Sequence, residues 1–361
     1  MRVRFIKMDL YLREGAMSIQ KKIHNIAVDL RYVRSARVPG RKATLPPALI
    51  DTSLGSQNAG DSIIMYFATK QLSQIWDVQS LPRIPSHEME YSFENVKPGQ
   101  LKIVCGTNAL HSRLDRYRSV MLPDNPSLYK NSVNLLAVGM SGVEGNKHID
   151  RTTGKILHSI LSSEYLHSVR DSRTEQELKR IGIDNVVNTS CVTMWNLTQS
   201  FCQQIPTFKN REVLTTITDY SFNPIYDQLM LDKLNKHYEK IFIWVQGSHD
   251  AECMEKLNLH NAELVWGGFN GLVDFINEHH KTMDYVGTRL HCGIFCLNKG
   301  IRSVIVSVDN RAKDIAKDTN LPVIERVDLP ERLDEIIEGS WNTEIRIPED
   351  NIKKWKTQFE K

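Results

Sequence analysis

Between Pro46 and Val306 the chain keeps returning to one pattern: a short apolar run, a turn carrying Gly, Asn or Asp, then apolar residues at helical spacing. Few folds accept it. Continuous apolar runs suit strands buried on both faces, and helices between them suit parallel crossovers, so the pattern predicts a doubly wound α/β sheet. Strands are expected at Ala48–Ser53, Leu101–Cys105, Leu135–Val138, Leu166–Arg170 and Asn185–Asn188. After the linker Pro206–Asn210 a second series runs through Glu212–Thr218, Lys240–Val245, Glu263–Trp266, Tyr285–Val286 and Ser303–Val306. Helices are expected from Ile63 to Trp76 (with Asp61 or Ser62 as N-cap), over 174–181, 224–238, 251–257 and 271–278, and from about Arg289.

Two series of similar size predict two Rossmann-like domains facing a cleft, with ligands beyond the carboxyl ends of the strands. A length of 361 residues agrees, since a single core stops growing below that size. The expected division is a poorly patterned basic segment 1–44, a first domain 45–205, a second domain 206–340, and a tail 341–361. The tail contains a helix, opened by Pro348 and acids, that can cross back onto the first domain.

Charge excludes some partners. The 46 basic and 43 acidic residues leave +3, too little to argue for nucleic acid, whereas a small anion needs only local positive charge. Six scattered cysteines, with no C-x-x-C pair and no histidine cluster at zinc spacing, read as free thiols in a reducing cytoplasm, and no metal is expected. No apolar run reaches the ~20 residues that span a bilayer, and the start lacks a signal-peptide core. A cytoplasmic protein is expected. The basic N-terminal segment is compatible with peripheral attachment to the membrane, and translation can start at Met8 or Met17 as well as Met1.

Four strand-end groups can carry chemistry. In Asp284-Tyr-Val-Gly-Thr-Arg-Leu-His-Cys-Gly-Ile-Phe-Cys-Leu-Asn298, a strand and turn lead to a helix start where Arg289, His291 and free backbone N–H groups can meet an anion. Taken alone, His291 is more often an ordinary hydrogen-bonded histidine, but Arg289 at a helix start is opposed by the dipole unless an anion is present. Asn58, Gly60 and Asp61 stand in the first strand-to-helix turn, where turn chemistry plus capping is an equal reading. Arg170 with Asp171, and Asp309 with Arg311, end two further strands; taken alone the first reads as a surface Arg-Asp pair and the second as a solvated turn.

Together, Asn58-Ala-Gly-Asp61, Val169-Arg-Asp-Ser172 with Leu178 and Gly182, Val286-Gly-Thr-Arg-Leu-His291, and Asp309-Asn-Arg311 with Leu321-Pro322 resemble the polysaccharide pyruvyl transferase family in order and spacing. The resemblance covers roughly residues 48–325, and Arg-Leu-His is its most specific part. It implies a GT-B-like pair of Rossmann domains and transfer of pyruvate from phosphoenolpyruvate onto a sugar as a cyclic ketal, with phosphate released. It also implies Arg170, Arg289, Leu290 and His291 at the phosphoenolpyruvate site, with phosphoenolpyruvate a co-substrate and no cofactor. Under that reading His291 transfers the proton, Arg289 assists, and Asn58, Gly60, Asp61 and Arg311 face the acceptor or the cleft. The family suggests galactose or N-acetylmannosamine on a lipid-linked precursor, which would place the enzyme at the inner membrane face. The alternatives are a GT-B glycosyltransferase using a nucleotide sugar, and an inactive scaffold in a glycan-assembly complex.

Overall fold

The computed structural model describes residues 46–86, 96–97, 99–114 and 128–360, together with Ala27, Leu30 and Arg31. The basic N-terminal segment and the candidate start sites therefore lie outside the described residues.

Apolar runs become strands as the pattern predicts. The first sheet contains β1 (Ala48–Asp51), β2 (Arg83–Pro85), β3 (Lys102–Cys105) and β5 (Val133–Leu136), all parallel, in the order β2-β1-β3-β5. Two short strands, β4 (Leu110–His111) and β6 (Met140–Ser141), pair at its carboxyl edge. Next to β5 stand β7 (His167–Val169) and β8 (Val186–Asn188), joined through the parallel bridge Val138–Val169. The second sheet has six parallel strands: β9 (Glu212–Thr215), β10 (Lys240–Trp244), β11 (Glu263–Val265), β12 (Met283–Gly287), β13 (Ser303–Ser307) and β14 (Val323–Glu325). Their order, β11-β10-β9-β12-β13-β14, reverses direction between β9 and β12, the switch point of a Rossmann sheet.

The interior strands β1, β3, β5, β12 and β13 are buried along their whole length, which is why apolar residues dominate them even though Asp51, Lys102, Asn134 and Asp284 are buried among these residues. The helix Ala59–Leu72 begins earlier than the sequence suggested. Its N-cap is Asn58, whose Oδ1 accepts from Gly60 N at 3.0 Å. Asp61 therefore lies in the first turn, and its Oδ2 accepts from Ser56 Oγ at 2.6 Å.

The two sheets belong to units that share buried surface. Ile63 and Phe67 of the first helix pack in one apolar cluster with Leu290, Ile294 and Phe295 of the helix Leu290–Asn298. Cys191, Met194, Leu197, Cys202 and Ile205 belong to that cluster too, so the chain ahead of the linker already packs on the second unit. The helix Glu349–Thr357 returns to the first unit: Trp355 is fully buried and donates to Asn134 Oδ1 at 3.2 Å, and Asn351 Nδ2 donates to Asn188 O at 2.9 Å. Two Rossmann-like units facing a cleft, with a C-terminal helix returned to the first, make a GT-B-like fold. No helix among the described residues is long and apolar enough to cross a membrane.

Candidate active site

Arg170, Arg289 and Arg311 sit within a few residues of a strand's carboxyl end, whereas Asn58, Gly60 and Asp61 stand at the start of the helix after β1, and the structure gives them unequal roles. Arg170 follows β7, and its backbone N donates to Val138 O at 3.0 Å. Its side chain is 2% exposed, and it donates through Nη2 to Asn108 Oδ1 at 2.6 Å. Its Nη1, and its Nε at 3.4 Å from Asp171 Oδ2, have no hydrogen-bond partner among the described residues. A buried guanidinium with unused donors is costly unless something else meets them. Gly139 permits this placement: a Cβ there would collide with the Arg170 guanidinium.

Arg289 stands at the switch point as N-cap residue of the helix Leu290–Asn298, its N donating to Thr216 Oγ1 at 3.1 Å. The side chain is not an open cation. Nη2 donates to Asp219 Oδ1 at 2.9 Å and to Asp250 Oδ1. Asp250 is fully buried and also accepts from Gly247 N at 2.8 Å, Gln246 N at 3.2 Å and Asp219 N at 3.2 Å. Burial pushes the Asp250 carboxyl upward, and the Arg289 guanidinium pulls it back. Two carboxylates of its own unit answer the charge of Arg289 and the dipole argument, while its Nε is left without a partner among the described residues.

His291 is the second residue of that helix and is 8% exposed. Burial, then the positive charges of Arg311 and Arg170, lower its pKa to about 3, against the opposing pull of Asp309. Its Nε2 lies 3.8 Å from Cys191 Sγ. Arg311, in the first turn of the helix Asn310–Thr319, donates through Nε to Asp309 Oδ2 at 2.9 Å and through Nη2 to the Tyr220 hydroxyl. Tyr220 bridges the two halves of the site, for the guanidinium carbons of Arg289 and Arg311 each lie 5.3 Å from its ring centre.

Asn58 and Gly60 are brought to the second unit, where Asn58 bridges to Gly247, the residue that lies against the Arg289 guanidinium. Asn58 Oδ1 accepts from Gln246 Nε2 at 2.7 Å, and Ala59 N donates to Gln246 O at 3.1 Å. Gly60 leaves room for that amide, since a Cβ there would lie 2.8 Å from Gln246 Nε2. A second clasp closes the other side. Asp318 accepts from Ser172 N at 2.6 Å, Ser172 Oγ at 2.7 Å and Asn188 Nδ2 at 2.9 Å, while Arg173 Nη2 meets Asp314 Oδ1 at 3.1 Å. One helix therefore carries Arg311 at its start and, further along, the carboxylates that fix the Arg170 wall.

Sequence reasoning missed Asn108, Asp219, Tyr220, Gln246 and Asp250. The signal available was position, since each lies a few residues past a strand's carboxyl end. No group of three or more potential ligands among the described residues is arranged to hold a metal.

These features define a two-unit α/β protein whose cleft gathers buried arginines around a neutral histidine. The family model for polysaccharide pyruvyl transferase matches residues 58–310, and the chain belongs to that family. No curated protein matches it significantly. Among solved structures it is similar to the Methanocaldococcus jannaschii UDP-GlcNAc 2-epimerase in complex with UDP-GlcNAc and UDP, at 10% identity over 85% of this chain and 82% of that one, with a TM-score of 0.44. It is also similar to S. aureus MnaA with UDP, at 11% identity over 86% and 95% and a TM-score of 0.46. A third is the lipopolysaccharide outer core galactosyltransferase WaaB in its apo form, at 10% identity over 83% and 76% and a TM-score of 0.38.

Proposed function

We propose that the protein transfers pyruvate from phosphoenolpyruvate to two hydroxyls of one sugar, in a polysaccharide or a lipid-linked glycan precursor. The observation that carries this reading is the buried Arg170 guanidinium with Nε and Nη1 unused, whose charge, with that of Arg311, acts on His291. Phosphoenolpyruvate presents a carboxylate and a phosphate, and planar guanidinium groups suit both. Arg170 and Arg311 hold the donor. Arg289, matched by Asp219 and Asp250, braces the helix start that presents Leu290 and His291.

The reaction needs one proton delivered and two removed. His291 gives a proton to the methylene carbon, which becomes the methyl group, while the first hydroxyl bonds to the adjacent carbon and its proton returns to the imidazole, so that His291 ends as it began. The carbon–oxygen bond to phosphate then breaks. The second hydroxyl takes its place, and its proton leaves with the phosphate. Burial is the larger reason His291 stays neutral, and a bound dianion, by offsetting the field of the two arginines, moves its pKa upward in the complex. Asn58 and Asp61 act at the rim, on the acceptor or on closure of the cleft.

Thermal stabilisation separates the donors: phosphoenolpyruvate is expected to raise the melting temperature, and UDP-sugars are not. Stabilisation by a UDP-sugar with none by phosphoenolpyruvate would overturn the reading in favour of glycosyl transfer.

A further inference from the structure

Tyr220 stands in the turn Asp219–Ser221, just past the carboxyl end of β9, where its side chain meets both Arg289 and Arg311. The ring is shared between them: each guanidinium carbon lies 5.3 Å from its centre, inside the ~6 Å over which a cation is drawn to an aromatic face. The hydroxyl is not shared. It accepts from Arg311 Nη2 and lies 3.4 Å from Asp309 Oδ2, to which it donates, while Arg311 Nε donates to the same carboxylate oxygen at 2.9 Å. Phenol, carboxylate and guanidinium close a triangle, and the phenol holds a donor of Arg311 that an anion would also use.

The two sides of the ring are anchored differently. Arg289 is fixed by Asp219 and Asp250. The backbone that carries Tyr220 is fixed as well, for Arg326 Nη1 donates to Ser221 O at 2.6 Å and Phe222 N donates to Asp219 O at 3.1 Å. The side chain has room, since Tyr220 is 55% exposed. Rotation about its own bonds can therefore withdraw the hydroxyl from Arg311 without moving the chain. What it yields to follows from charge. Desolvation raises the pKa of the phenol, against the pull of Arg311, so it meets the guanidinium as a neutral hydroxyl at pH 7. A phosphate or carboxylate oxygen brings a full charge and can engage the guanidinium through two parallel bonds, which one hydroxyl cannot.

We infer that Tyr220 competes with an anionic ligand for Arg311: its hydroxyl takes the Nη2 donor that a ligand oxygen would take, and gives way to that oxygen while the ring stays on Arg289. The inference rests on the reading of Arg311 as an anion-binding group. Inorganic phosphate, without the pyruvyl half of the donor, is enough to test it.

A hydroxyl that competes lowers affinity, whereas one that only supports the site raises it, so the sign of the change decides. Calorimetric titration of the full chain with inorganic phosphate and with phosphoenolpyruvate compares the wild type with Tyr220→Phe, which keeps the ring and removes the hydroxyl. The variant is expected to bind each anion about threefold more tightly or better, the scale of one net hydrogen bond, and to lower KM for phosphoenolpyruvate by the same factor with kcat little changed. In the wild type, phosphate is expected to produce a tyrosine ultraviolet difference spectrum that Tyr220→Phe lacks. Unchanged or weaker phosphate binding in the variant, binding by neither protein, or a wild-type complex without the difference spectrum would each overturn the assignment. Phosphate binding that tightens in the variant, with no binding of phosphoenolpyruvate by either protein, would instead strike the donor reading and leave the competition standing.

Discussion

Arg170 and Arg289 are both buried arginines at strand ends, yet they differ in what their charge is doing. Arg289 is 3% exposed and answered by two carboxylates; Arg170 is 2% exposed and keeps Nη1 and Nε without a hydrogen-bond partner among the described residues. Arg289 also leaves its Nε without a partner among the described residues, but its charge is answered twice within the fold, whereas Arg170 has only Asp171, 3.4 Å away, and two unused donors. A buried cation marks a binding site when its charge and donors are answered less fully than the fold answers its neighbours, and residue type with position cannot reveal that balance.

Replacing His291, which follows Arg289 by two residues and feels the charge of Arg170, has the largest expected effect. His291→Ala should lower phosphate release from phosphoenolpyruvate plus acceptor by ~10²–10⁴-fold, the usual scale of a lost general acid, with the circular-dichroism spectrum unchanged. Turnover near the wild-type rate would remove His291 from the chemistry and leave the unused donors of Arg170 without the role given to them.

The arginines themselves sharpen the contrast. Arg289→Ala strands the buried Asp250 carboxylate, and breaking such a pair from one side costs about 3–5 kcal/mol, so the variant should lose much of its stability to urea. Arg170→Lys should unfold close to the wild type but lose at least about tenfold in kcat/KM for phosphoenolpyruvate, because one charge-assisted hydrogen bond is worth ~1.5–3 kcal/mol. The comparison breaks if the effects are exchanged, with Arg289→Ala stable but unable to bind the donor.

The same distinction sets how much was legible in the sequence. Strands such as Ser303–Ser307, buried at every position, stand out as apolar runs wherever the chain is cut. The helix Asn310–Thr319 escaped notice because it buries only Ala312, Ile315 and Thr319, and polar residues fill the rest. Strand β2, three residues including Pro85, is too short for any periodicity. Arg170, Arg289 and His291 could be selected because each follows an apolar run directly. Their partners were marked only by lying a few residues past other strand ends, since Asp219, Asp250 and Asn108 enter from other loops and only the parallel register of the sheets shows which arginine each meets. What decides between a satisfied and an unsatisfied arginine was therefore the part of the site that local sequence does not encode.

The smallest predicted effect tests that decision through a proton. In the free protein His291 titrates at about 3, held down by burial and by Arg311 and Arg170, so it is neutral at pH 7. A folded-state pKa below the unfolded value of 6.5 means that its contribution to stability is complete above that pH and is lost as pH falls toward about 3. A dianion beside Arg170 and Arg311 raises the pKa in the complex. A group with a higher pKa in the complex takes up a proton on binding, so phosphoenolpyruvate affinity should increase as pH falls through the pKa of the complex and stay flat above it. Calorimetric titration in two buffers of different ionisation enthalpy should show fractional proton uptake at mildly acidic pH, beyond any uptake by phosphoenolpyruvate itself, and His291→Gln corrects for the latter. Equal uptake in wild type and variant would mean that the anion does not reach the field of these arginines. The contrast between the satisfied Arg289 and the unsatisfied Arg170 would then describe packing rather than binding.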